Sequence, residues 1–181
     1  LRLDLADEFH GVPVADPYRW LESDDDPRTL EWSAQQAELM ATERSNWSDR
    51  DDFAERVARL LGAGSVSPPY WRGQRHFVTR REPDQQFAVL YAVEADGTER
   101  VLIDPMAIDP TGVTTLDTWQ PSKEGDRLAY QLSVGGNEES LLYVMDVGTG
   151  ETIEGPIDRC RYSPVAWLVG GERFYYVRRL A

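Results

Sequence analysis

Hydrophobic positions recur along this chain with two different periods, and the change falls near Ser65. Before it the spacing is helical. Leu30, Ala34, Ala37 and Ala41 share one face, with Trp32 and Leu39 beside it; apolar residues three and four apart mark an amphipathic helix. Asp25 or Asp26 is placed to cap that helix, with Pro27 at its first position, where a missing N–H is tolerated. A break at 46–48 precedes a second helix from about Arg50, with a stripe of Phe53, Val57, Leu60 and Leu61 and a stop at Gly62. Helices this short need something to pack against.

From Ser65 the period becomes two, the signature of strands with alternating faces. The segments 75–81, 87–93 and 100–104 read as strands, the last two joined by a turn at Ala95-Asp96-Gly97-Thr98. The segments 127–133, 140–147 and 151–155 follow, with a turn at Gly148-Thr149-Gly150, and 172–179 begins again. Arg75 and Arg127 lie 52 positions apart (127 − 75), as do Leu90 and Leu142, and Glu99 and Glu151. Arg173 opens a third copy 46 positions further on (173 − 127). A repeat of about 40–50 residues with four strands per unit is the mark of a β-propeller blade. First strands of the blades are expected at 67–71, 114–120 and 163–167. The fold class is therefore mainly β: two blades and the start of a third, where a closed ring needs about four to eight.

The opening stretch DEFHGVPVADPYRWLE (7–22) fits neither period. Pro13 and Pro17 exclude a helix through it. It reads as an extended segment that bends at Asp16-Pro17 into a short helical turn, with Asp16 as cap and Pro17 at the first position.

Composition narrows the partners. The 181 residues carry a formal charge of −13, which excludes nucleic acid, because phosphate binding needs a basic face. No run approaches the roughly 18 apolar residues of a membrane helix, so no membrane partner is expected. The single cysteine, Cys160, forms neither an internal disulfide nor a metal cluster. It points to a cytoplasmic protein, or a periplasmic one if a signal peptide was removed before Leu1.

Candidate chemistry is sparse. Gly62-Ala63-Gly64-Ser65-Val66 is not a G-x-S-x-G nucleophile elbow, and only His10 and His76 are available as histidine bases. The carboxylates at 24–26 and at 49, 51 and 52 lack the glycine and terminal glutamate of a calcium loop. Catalytic residues, metal and cofactor are therefore all expected to be none. The six tryptophans read as core.

The opening stretch closely resembles the N-terminal signature of the prolyl oligopeptidase family of serine peptidases, approximately D-x-x-H-G-x-x-V-x-D-P-Y-x-W-L-E. The matches are Asp7, His10, Gly11, Val14, Asp16, Pro17, Tyr18, Trp20, Leu21 and Glu22. VLIDPMAID (101–109), WQPSKEGDRLAYQLSVGGNE (119–138) and RYSPVAW (161–167) resemble further family segments in the same order. The resemblance implies a seven-bladed propeller over an α/β-hydrolase domain. Residues 1–64 would be a helical arm that packs on that hydrolase, absent from this chain, and 65–181 the blades. It implies hydrolysis of short peptides on the carboxyl side of proline by a Ser-His-Asp triad that lies outside residues 1–181, with the propeller gating access. The implied partners are short proline-containing peptides and the remainder of the same enzyme. Tyr162 matches an aromatic that lines the family's apolar substrate pocket. Two alternatives stand beside this reading: an oligopeptidase that cleaves after basic residues, and a non-catalytic propeller module that binds a partner.

Overall fold

The computed structural model describes residues 1–180; Ala181, the last residue of the expected blade region, lies outside the described residues. The chain divides into two compact units, residues 1–57 and the residues from Ala58 onward.

In the first unit, β1 (Ala6–Phe9) and β2 (Val12–Ala15) pair antiparallel, from Ala6↔Ala15 to Phe9↔Val12. The opening stretch is thus a hairpin rather than a merely extended segment. His10 (φ 53°) and Gly11 (φ 79°) form its two-residue turn, and two left-handed residues match the twist of paired strands. Pro13 is accommodated because a two-stranded ribbon leaves its position at an edge. Asp16 does not cap the turn that follows. Its carboxylate accepts from Arg19 Nε at 2.7 Å, and the same guanidinium pairs with Asp7. A charged donor is the stronger partner for a carboxylate, and the 3-10 turn Arg19–Glu22 starts two residues later than expected, after Tyr18. Trp20 is buried; its indole N–H donates to the Leu1 carbonyl at 3.2 Å, and its own carbonyl accepts from Thr29 Oγ1 at 2.7 Å. The motif residues Asp7, Asp16 and Trp20, with Arg19 at an unspecified position of the motif, thus tie the hairpin, the turn and the next helix together. That helix, α1 (Pro27–Ser45), is capped by Asp26, which accepts from the Arg28 N–H at 2.8 Å.

α2 (Arg50–Leu61) runs across the division between the units and ends at Gly62, whose N–H donates to the Ala58 carbonyl at 2.7 Å. The strands then begin. β3 (Ser65–Val66) and β4 (Tyr70–Arg72) both pair with β5 (Arg75–Arg81), followed by β6 (Val89–Val93) and β7 (Glu99–Ile103). The first strand of this blade, expected as continuous over 67–71, is broken at Pro68-Pro69, which supply no ladder donors. A short helix, α3 (Pro105–Ile108), leads to the second blade: β8 (Thr114–Pro121), β9 (Arg127–Val134), β10 (Leu141–Asp146) and β11 (Thr152–Ile157), an antiparallel meander in that order. β12 (Val165–Trp167) and β13 (Phe174–Tyr176) pair to open a third; β13 is shorter than the expected 172–179.

The repeat seen in the sequence has a physical cause. Arg75 pairs with Glu94 at 2.8 Å, and Arg127 pairs with Asp146; both members of the pair recur at the same spacing (127 − 75 and 146 − 94). The core lies between blades. Phe77, Leu90 and Ile103 of the first pack with Leu128, Tyr130 and Met145 of the second. Ala129, Leu142 and Val144 of the second pack with Cys160 and Trp167 at the start of the third. β9 therefore buries both faces, with four consecutive residues, Leu128 to Gln131, inside. The turns between first and second strands also interlock. Gly125 (φ +82°) sits so close to blade one that a Cβ there would meet Arg72 Cβ at 3.0 Å.

Candidate functional site

Tyr162 lies in the loop between β11 and β12 and is 72% exposed. Its backbone has φ 53°, a left-handed conformation uncommon for a residue with a bulky side chain and costing of order 1–3 kcal/mol. The loop holds it there from both sides. Cys160 is fully buried and its N–H donates to the Ser140 carbonyl at 3.2 Å, while the Ser163 N–H donates to the Cys160 carbonyl at 2.9 Å. Ser163 Oγ in turn accepts from the Val177 N–H at 2.9 Å. Burial pushes the Cys160 thiol up, which disfavours the thiolate and leaves the residue an anchor rather than a nucleophile.

Beside Tyr162 is a hollow of about 420 Å³ between blade two and the start of blade three. Four stretches of chain supply its wall. A register shift in β8 leaves Asp117 unpaired between Leu116 and Thr118; such a bulge re-aims a side chain. Asp117 accepts from Ser133 Oγ and Thr115 Oγ1, both at 2.9 Å, and from Ser140 Oγ at 2.6 Å. Gln131, on β9, donates Nε2 to the Ser163 carbonyl at 2.7 Å. The loop after Gly135-Gly136 brings in Glu138, which accepts from the Tyr162 hydroxyl at 2.7 Å and pairs with Arg161. The Tyr162 hydroxyl, with Arg161, holds the Glu138 carboxyl below its usual range. The result is an exposed aromatic ring tethered at its hydroxyl, over a wall made of acceptors.

Of these residues the sequence reading singled out only Tyr162. A signal for two others was present. Asp117 is the one charged residue in the strand Thr114–Pro121, and Gln131 is the one amide in a strand where it stands between Tyr130 and Leu132. The remaining histidines are placed elsewhere: His10 in the hairpin turn, His76 against the Trp71 ring at 4.6 Å. Among the described residues no three His, Cys, Asp or Glu side chains converge as a metal-binding group.

The stacked antiparallel meanders define this segment as part of a β-propeller. Residues 3–180 match the family described as prolyl oligopeptidase, N-terminal beta-propeller domain, and the chain belongs to that family. A prolyl endopeptidase of Elizabethkingia meningoseptica is 28% identical over 97% of this chain and 25% of its own length. A solved chain from a study of two prolyl endopeptidases superposes with a TM-score of 0.85 at 33% identity, over 97% of this chain and 26% of that one. A prolyl oligopeptidase B of Galerina marginata, bound to a 25-residue macrocyclization substrate, shares the fold with a TM-score of 0.82 at 23% identity, over 99% and 29%. The chain spans about a quarter of the length of the curated relatives it matches. The hydrolase domain of this architecture lies outside these residues.

Proposed function

We propose that these residues lead a serine oligopeptidase that hydrolyses short peptides on the carboxyl side of proline, and that the blades restrict which substrates reach the catalytic groups. The observation that carries this reading is the match of 97% of the chain to prolyl endopeptidases, at 33% identity to a solved one. Tyr162 is its substrate-facing residue: the tethered, exposed ring offers an apolar surface to a peptide side chain. The nucleophile, base and oxyanion donors belong to the part of the enzyme outside this chain. The buried free thiol of Cys160 suits a cytoplasmic setting.

The test uses the full-length polypeptide that carries this segment, with blocked Gly-Pro amides and blocked Arg and Lys amides. The expected result is release after proline only, with Tyr162→Ala raising KM about tenfold and changing kcat less, as loss of an aromatic contact predicts. Turnover of the basic amides instead would identify an oligopeptidase that cleaves after basic residues. No turnover of either would identify a binding module.

A further inference from the structure

The hollow beside Tyr162 has one feature that its own hydrogen bonds leave unexplained. Gln131 is 1% exposed and uses Nε2 on the Ser163 carbonyl, yet its Oε1 has no partner. Buried side-chain acceptors are nearly always satisfied, so an orphan on the wall of a hollow points to a missing donor. The nearby groups set the chemistry of that donor. Asp117 takes three hydroxyl donors but no cation. Glu138 and Glu139 share the single guanidinium of Arg161. Of the two carboxylates that line the hollow, Asp117 thus has no cationic partner, and Glu138 shares its guanidinium with Glu139. An ammonium group carries three donors and no acceptor, and it matches this wall in both charge and hydrogen bonding. A carboxylate would meet uncompensated negative charge, and an apolar side chain would leave Gln131 Oε1 unpaired.

We propose that this hollow seats a primary ammonium group of the peptide substrate, either its α-ammonium or a lysine side chain, on the Asp117 carboxylate and Gln131 Oε1. The proposal rests on the reading of Tyr162 as a residue on the peptide's path.

The experiment uses the full-length polypeptide and a set of proline-containing peptides with an ammonium group placed two, three or four residues before the proline. Each free α-amine is paired with its N-acetyl counterpart, and each lysine, in acetylated peptides, with norleucine. The expected result is a kcat/KM about tenfold higher for the charged member at one of the positions, the size of one charge-assisted hydrogen bond. A gain lost on acetylation assigns the site to the α-ammonium; a gain of lysine over norleucine assigns it to the side chain. In both Asp117→Asn and Gln131→Met the charged-to-neutral ratio is expected to fall towards one. Ratios near one at every position in the unaltered enzyme overturn the ammonium site, whether or not either variant folds, and water is then the partner of Gln131. If Tyr162→Ala still raises KM in that case, the reading of Tyr162 survives alone. If it leaves KM unchanged for every peptide, both fall together.

Discussion

The second blade and the two leading helices use the same apolar residue types to opposite effect. In the blade, Leu128 and Leu142 are completely buried, one facing the first blade and one the third. In the helices, Leu30 is 57% exposed, Phe53 69% and Leu60 73%, although each lies on the stripe expected to be an inner face. Only Thr29 is buried in α1, and nothing is buried in α2. A blade receives its partner from the next repeat along the chain, so sequence neighbours complete its core. A helix with an apolar stripe has no such built-in partner. Amphipathic pattern therefore states that a face wants cover, while repetition also states what provides it.

The largest test of this difference replaces one leucine in each region. Leu142→Ala is expected to cost about 2–5 kcal/mol, because it empties a site closed on all sides. Leu60→Ala is expected to change stability by no more than about 0.5 kcal/mol in this chain. Denaturant unfolding of the two variants checks the contrast; equal effects would mean the helix face is covered after all.

A smaller effect probes the contact between blades. Gly125→Ala forces an L side chain into φ +82° with its Cβ about to strike Arg72 of blade one. The expected cost is about 1–3 kcal/mol, with the midpoint of thermal unfolding lowered. Smaller again is the repeated ion pair. Arg127 is 34% exposed and Asp146 26%, so Arg127→Met is expected to cost about 0.2–1 kcal/mol.

Two carboxylates refine the comparison further. Asp26 at the start of α1 and Asp109 before β8 are both held at about 2, for different reasons. The Arg28 side chain, with its backbone N–H, lowers Asp26. The Thr111 and Thr114 hydroxyls, with their backbone N–H groups, lower Asp109. Since both folded values lie below the ordinary value near 3.8, the stabilisation is complete above that value and is lost as pH falls through about 2. Carboxyl titration by NMR in 1 M salt, where charges screen within about 3 Å, is expected to raise Asp26 and to leave Asp109 nearly in place.

Local features were legible where one residue type has one physical use. Asp26 and Pro27 announced the start of α1, and the glycine-bearing turns announced the hairpins. The extended opening stretch and the helical turn after it are present; what its prolines, which exclude only a helix, do not reveal is the pairing that a two-residue turn at His10-Gly11 permits. Asp16 looked like a cap because no sequence rule shows that Arg19 would reach it first.

The sequence by itself determined the two periods, the repeat and hence the blades, because alternation, turn glycines and paired charges recur at a spacing that only stacked units explain. Beyond Tyr162, only tertiary structure decided the candidate site. Asp117, Gln131, Glu138 and Tyr162 come from four separate stretches and meet only where blade two faces the start of blade three. Alternation reveals which residues of a strand share a face. It does not reveal what stands opposite them when both faces are buried, since that depends on how one sheet lies against the next.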